Sequence, residues 1–484
     1  MSRQAVSKTV TKAVIIGIVI GAMSCAVNPV THKSEFMLLS QNDEVALGQK
    51  TNPQILETYG QYPDAALAAY VADLGKKLGA MSDRPNIGYS FQVLDSPVVN
   101  AFAVPGGYVY LTRGILAYLN DEAELAGVAA HEIGHIAARH SAQQYSRAQV
   151  AQIGLGLGSV VSKTFRKYAG LAEFGVGMLF LSFSRGNERQ SDDLGVLYSS
   201  KAGYDARNMA NLFVTLERLN PGEDRSGLPG WFSTHPNPPD RVVAIQKAAQ
   251  EWRTNNPQAA FGTHRDSYLK HIDGIVFGED PRQGYVDGKI FYHPVLKFQF
   301  PVPEGWKVNN TAAQVQIVNK NQDAAIVFSK ASDQSPSAAA EAFIKQSQAA
   351  VLKSEPAQVN GFPAHLLMAD ITTEQGVIRS LSYFIQKENV VFVFLGYAAQ
   401  AQFESHLPTF NQTMGQFRNL TDPTKINVQP ERLAVRTTSS QGPLRQALQG
   451  FGVPQDKWEA AAILNGMKLD DHVPARTLLK VVVK

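Results

Sequence analysis

The sequence predicts an α+β fold: a mostly helical first half with a small sheet, a separate α+β domain, and a small C-terminal module. Three observations carry this. Apolar residues recur at the helical period across residues 36–84 and again from Asp121 to Tyr145. Short alternating segments flank the turn signal Pro105-Gly106-Gly107 and recur beyond residue 295. The chain has 484 residues, 44% hydrophobic and 18% charged. At about 150 residues per domain, that length allows about three domains. The same composition excludes a largely disordered chain and a multi-span membrane protein.

The formal charge is +3. Arg3, Lys8 and Lys12 precede Cys25 with no acidic residue among them, and the rest of the chain balances 42 basic against 42 acidic residues. No basic surplus draws the protein to nucleic acid. The single cysteine cannot form an intrachain disulfide.

The first segment reads as an address. After the basic start, Ala13–Met23 (AVIIGIVIGAM) is apolar, and Ser24-Cys25 closes it. The run is too short for an ordinary membrane span and right for a signal-peptide core. It resembles a bacterial lipoprotein signal, with 1–24 as the removed peptide. That resemblance implies lipidation of Cys25 and a membrane anchor through it. Ala22 departs from the usual Leu, Val or Ile of that pattern. Ala26, rather than aspartate, implies sorting to the outer membrane on the periplasmic side. The alternatives are a plain secretory signal with an incidental Cys25, or a short membrane anchor.

Along the chain, EVALGQK and DAALAAYVADLGKKLGAM read as helices, and Asn86–Leu94 as a strand. Ala101–Val104 and Tyr108–Leu111 read as short strands about the Pro-Gly-Gly turn. A short helix lies within Leu111–Leu119. Asp121–Tyr145 reads as one long helix, with Asp121 and Glu122 suited to its positive end. Residues 151–183 carry repeated glycines in an apolar stretch, which permit close helix packing. They read as a packed helical hairpin or a mobile element beside a site or a lipid surface. Glu188–Lys201, Arg207–Leu219 and Asp240–Glu251 read as helices, with a Gly/Pro-rich loop over 223–239. Residues 266–294 read as a linker. Beyond it, Phe298–Phe300, Gln314–Val318, Ala324–Phe328, Val377–Gln386 and Val390–Ala398 read as strands, and Ala338–Val351 and Phe403–Phe417 as helices. Residues 422–484 suggest two short helices and a final strand, RTLLKVVV.

The chemistry sits at His131-Glu132-Ile133-Gly134-His135, an HExxH motif. Two histidines four apart share one helix face, so both imidazoles reach one ion. Glu132, about one turn away, can take a proton from the attacking water. This pattern predicts a zincin-type peptidase domain over residues 25–265, with Zn2+ as cofactor. Catalytic zinc needs a third protein ligand. His140 is badly phased for it: on a continuous helix it lies roughly 180° from His131 and roughly 140° from His135 at 100° per residue. It reads as a surface or packing residue. Glu188, in FSRGNERQSDDLG, is the better candidate, its alternative being a solvated helix charge. Asp192 sits one turn later and can accept a hydrogen bond from a liganding histidine.

With these residues in place, the sequence resembles the M48 family of zinc metallopeptidases, over roughly Phe36 to Glu251. The family's HExxH is His131–His135. Its downstream SRxxExxAD-like segment is Ser184–Asp192, with Ser191 where alanine is usual. The resemblance implies metal ligands His131, His135 and Glu188, with Asp192 behind a ligand. Periplasmic members carry a histidine and an arginine near the site; the matching residues in THPNPPDR are His235 and Arg241. His235 is then either a resting fourth ligand or, like Arg241, a stabiliser of the oxyanion. His235 as a helix cap or loop anchor is the remaining alternative. An extended substrate is expected to pair with a strand edge near Asn100–Val104.

FQFPVPEGWKV opens residues 295–421, which resemble PsbP-like α+β domains. Residues 422–484 resemble a LysM module, with Ala475-Arg476 where a glycine is usual. These modules imply protein or peptidoglycan contact. The helical repeats of the family's quality-control members are not found here. The expected function is a zinc endopeptidase acting on unfolded or misassembled envelope proteins. The competing expectation is a metal-bearing periplasmic chaperone or assembly factor with little proteolysis. A CAAX-type prenyl protease is disfavoured by the lack of multiple spans.

Overall fold

A computed structural model describes residues 25–154, 182–219, 230–236, 240–331, 335–373 and 376–484. The signal-like stretch 1–24 and most of the glycine-rich stretch lie outside the described residues. Among the described residues, no helix is long and apolar enough to cross a membrane. The architecture is mixed α+β: a mostly helical N-terminal region with small sheets, and separate β-rich modules beyond it.

The N-terminal region begins with a hairpin, Cys25–Val27 against Ser34–Phe36. Helix Gln41–Tyr59 follows, started by a capping box between Ser40 and Asp43. Helix Ala65–Gly79 is capped by Asp64. A three-stranded sheet comes next. Its central strand Tyr108–Thr112 pairs parallel with Ser90–Leu94 and antiparallel with Ala101–Val104, which forms an edge. Pro105-Gly106-Gly107 makes the turn as expected, with both glycines at positive φ.

The motif helix runs Glu122–Ala137, capped by Asp121, and nearly all of it is buried. The sequence predicted one helix to Tyr145. The structure has two, with His140–Gly154 as the second and Arg139 between them at φ 60. The break has a physical cause. A helix end leaves carbonyls unpaired. Here Arg84 Nη1 donates to Ile136 O at 2.9 Å, and Asn28 Nδ2 donates to Ala138 O at 3.1 Å. Arg139 turns away to pair with buried Glu44 and to donate to Leu39 O at 2.7 Å. Arg84 pairs with the same carboxylate at 2.9 Å.

Helix Arg185–Lys201 lies directly against the motif helix. Two glycines permit the approach. A Cβ on Gly134 would meet Ser191 Cα and Leu194 Cβ at 3.2 Å, and one on Gly195 would meet His131 N at 3.3 Å. Helices Met209–Leu219, Trp231–Thr234 and Arg241–Asn255 close the site from the other side. Residues 266–294 are structured rather than a bare linker. Helix Arg265–His271 packs Tyr268 and Leu269 into the first core, and strands Tyr285–Asp287 and Ile290–His293 enter the next sheet.

The second unit has a seven-stranded antiparallel sheet and a four-stranded one around a phenylalanine-rich core. The helix expected over Ala338–Val351 ends at Ser347, and Ala350–Val359 is an edge strand paired with Phe362–Thr373. That edge strand is mostly exposed and lacks apolar alternation, so it carries no period-2 signal. The helix expected over Phe403–Phe417 ends at Met414.

In the C-terminal module, Arg432–Thr437 pairs with Leu478–Val483, beside two short helices. It docks on the first core through Leu433 and Leu464. Lys480 is fully buried, and its Nζ donates to Ala117 O at 2.8 Å and Leu119 O at 2.7 Å, just before the motif helix. Burial pushes this ammonium down to about 7, opposed by Glu124. Lys480→Met deletes both bonds and leaves two buried carbonyls. Hydrogen bonds from charged groups contribute about 1.5–3 kcal/mol each. The first unfolding transition should therefore fall by about 3–6 kcal/mol in a urea titration. An unchanged midpoint would show that the module docks without this lysine.

Candidate metal centre

His131, His135, Glu188 and His235 converge, all buried, with one ligand atom from each lying within 4.8 Å of the others. The motif helix supplies the first two from one face, as the i, i+4 spacing requires. Ser184 caps the neighbouring helix and places Glu188 in its first turn. His235 ends the short helix Trp231–Thr234, where its ring stacks on Trp231 at 4.4 Å between centroids.

The spacings can be tested against a metal. Tetrahedral bonds of about 2.0–2.1 Å place ligand atoms about 3.3 Å apart. His131 Nε2 lies 3.1 Å from His135 Nε2 and 3.4 Å from His235 Nδ1. Glu188 Oε1 lies 3.0 Å from His235 Nδ1 and 3.5 Å from His135 Nε2. Each of these four spacings suits neighbouring ligands of one small divalent ion. Three imidazoles and one carboxylate can therefore hold a divalent ion. Glu132 is equally buried, and neither of its oxygens has a hydrogen-bond partner among the described residues. Its Oε1 lies 3.6 Å from His235 Nε2.

The surroundings set the electrostatics. Burial raises the Glu132 carboxyl above its ordinary value, against the pull of the His235 and His131 rings. Burial alone would raise Glu188 too, but His235, His135 and His131 hold it well below the usual carboxylate range. Burial keeps His135 well below the ordinary histidine value. His235 goes the other way: Glu188 and Glu132 overcome its burial and raise it.

Asp192 Oδ1 lies 3.0 Å from His131 Nδ1, behind the ring nitrogen that faces the cluster. Arg241 is 1% exposed and grips Asp192 through two bonds of 2.7 Å. Its Nη1 also lies 2.9 Å from Glu188 Oε2, and its guanidinium covers the Phe213 ring at 4.3 Å. Arg241 is thus committed to two carboxylates of the site wall.

One residue the sequence set aside belongs here. His140 is 1% exposed, and its Nδ1 lies 3.0 Å from His135 Nδ1. The helix break at Arg139 brings it there, so the phase calculated on a continuous helix does not apply. Burial pushes the His140 ring down to about 4. Phe183, at 3.9 Å from the His135 ring, also carried no signal in the sequence.

Residues 65–249 match the model of peptidase family M48. A beta-barrel assembly-enhancing protease of Yersinia pestis is 30% identical over 224 residues, covering 44% of this chain and 46% of that protein. The mitochondrial metalloendopeptidase OMA1 of Schizosaccharomyces pombe is 31% identical over 228 residues, covering 45% of this chain and 65% of that protein. The chain spans less than half the length of these bacterial relatives. Among solved structures, the cyanobacterial PsbP of Synechocystis sp. PCC 6803 covers 28% of this chain at 13% identity, with a TM-score of 0.24, too low to support a fold assignment. The segment that matches the M48 model also contains all four clustered residues, a catalytic-type metal site.

Proposed function

We propose that this chain is a zinc-dependent endopeptidase that cuts unfolded or misassembled cell-envelope proteins. The observation that carries the reading is the convergence of His131, His135, Glu188 and His235, one ligand atom from each within 4.8 Å of the others, beside the unpartnered carboxylate of Glu132. When bound, zinc supplies a Lewis acid that polarises the scissile carbonyl and acidifies water. Glu132 takes the proton of the attacking water and returns it to the leaving nitrogen. Asp192 orients His131, and Arg241 holds Asp192 and Glu188 in place as a positioning residue. An extended substrate adds to the edge strand Ala101–Val104. The short helix bearing His235 is tied near that edge by Trp231 N donating to Val99 O at 3.1 Å.

The envelope setting is supported by the lipoprotein-like start and by the bacterial relatives' names. A lipid on Cys25 would anchor the protein at the outer membrane. Asn28, three residues on, bonds the end of the motif helix, so little chain would separate membrane and site. The C-terminal module would contact peptidoglycan or protein, supported by a groove of about 330 Å³ lined by Ser439, Gln441, Gln446 and Phe451. Mass spectrometry of the mature N-terminus tests the anchor: diacylated Cys25 is expected, and an unmodified terminus elsewhere would overturn it.

With a metal bound, His235 would complete the four ligands and would take the position that water otherwise fills. This makes it a resting plug. His235→Ala should speed cleavage of an unfolded polypeptide by about tenfold if the open form is about a tenth of the population. Rate alone is ambiguous, because His235 could also stabilise the oxyanion once displaced. X-ray absorption decides: three imidazoles and one carboxylate are expected in wild type, and two imidazoles in the variant. Two imidazoles in resting wild type would defeat the plug. Fully zinc-loaded protein that never cuts, with or without His235, would favour the chaperone reading.

A further inference from the structure

Each histidine of the HExxH motif can bind an ion through Nε2 only if its Nδ1 carries the proton. His131 Nδ1 faces Asp192, an obligate acceptor. His135 Nδ1 instead faces His140 Nδ1 at 3.0 Å. An imidazole nitrogen accepts only when its other nitrogen holds the proton. That other nitrogen, His140 Nε2, lies 3.0 Å from Gln190 Oε1, a carbonyl oxygen that can only accept. The chain of bonds therefore has one consistent direction. His140 Nε2–H donates to Gln190, His140 Nδ1 accepts from His135 Nδ1–H, and the His135 Nε2 lone pair is left facing the cluster. The reverse tautomer of His140 would present a proton to His135 and favour a proton on Nε2, where the ion must bind. Ser191 Oγ, fully buried, lies 3.3 Å from His140 Nδ1 and flanks the same contact.

We propose that His140, oriented by Gln190, is a positioning residue that fixes the metal-binding tautomer of His135. Its placement depends on the break after the motif helix. Glu44 holds Arg139 at positive φ, and Asn28 and Arg84 pair the last carbonyls. Without that break, His140 would point away from His135.

The inference rests on the metal-centre reading, and zinc binding is measured apart from cleavage so that the two can fail separately. Zinc affinity of the full chain is measured by competition with a chromophoric chelator, with folding followed by circular dichroism. His140→Ala should bind zinc about 10–100-fold more weakly than wild type, the usual cost of losing a ligand's hydrogen-bond partner. Gln190→Leu, at a half-buried position, should also weaken binding, while Gln190→Glu keeps an acceptor and should hold wild-type affinity. Folded His140→Ala with wild-type affinity would overturn the proposal. If His140→Ala does not fold, the Gln190 pair decides, and equal affinity in both variants would overturn it. Weakened binding in these variants alongside a wild type that never cuts would remove the peptidase reading and leave this one standing.

Discussion

Glu132→Gln should slow peptide cleavage by about 10²–10⁴-fold, the range supplied by a positioned general base, while the protein keeps its zinc. The two side chains have the same shape, so packing around this fully buried position is retained. Glutamine cannot accept the proton of the attacking water. The carboxylate is poised for that task. Both oxygens lack a hydrogen-bond partner among the described residues, and burial raises its carboxyl above the ordinary value. Because Glu132 is not among the four clustered ligands, metal content should not change. Cleavage of a denatured substrate and zinc content by plasma mass spectrometry are the two readouts. A variant that cuts at the wild-type rate would assign the base to another group.

Glu188→Ala should be more severe for the metal itself. Glu188 brings the cluster's one carboxylate and lies at tetrahedral spacing from His135 and His235. Its loss removes the anionic ligand and leaves the Arg241 guanidinium facing three imidazoles. That positive charge, now paired by Asp192 alone, opposes a divalent ion. Zinc affinity should fall by more than the about 10–100-fold expected for losing an outer partner, and cleavage should vanish with it. The folded chain should persist, because Asp192 still satisfies Arg241 through two bonds. Isothermal titration of apoprotein with zinc checks this. Stoichiometric binding at wild-type affinity would remove Glu188 from the ligand set.

What was legible in the sequence was local. His131, Glu132 and His135 follow from helical phase, since i and i+4 share a face on any continuous helix. Glu188 and Asp192 follow from the same rule on a second helix, together with the family's downstream segment. The Pro105-Gly106-Gly107 hairpin was legible because turn chemistry is local too. What failed depended on distant partners. The break after Ala137 is imposed by Glu44, 95 residues from Arg139, and nothing in HIAARHSAQQY signals it. His140 was therefore phased on the wrong helix. Arg241 was expected at the site, with His235 or itself as the oxyanion stabiliser, and its bonds to carboxylates 49 residues away or more carried no signal in the sequence. Nothing in the final strand RTLLKVVV marks Lys480 as buried, since its partners lie 361 and 363 residues away. The exposed edge strand Ala350–Val359 was hidden for another reason: it has too little burial to imprint an alternation.

In the proposed function these side chains hold zinc and hydrolyse peptide bonds. The most direct test is mass-spectrometric mapping of a denatured envelope protein after incubation with the zinc-loaded mature chain. Internal cuts are expected that disappear when zinc is removed by a chelator and return when it is restored, faster with His235→Ala than with wild type. Fully zinc-loaded wild type and His235→Ala that both leave the substrate intact would contradict it.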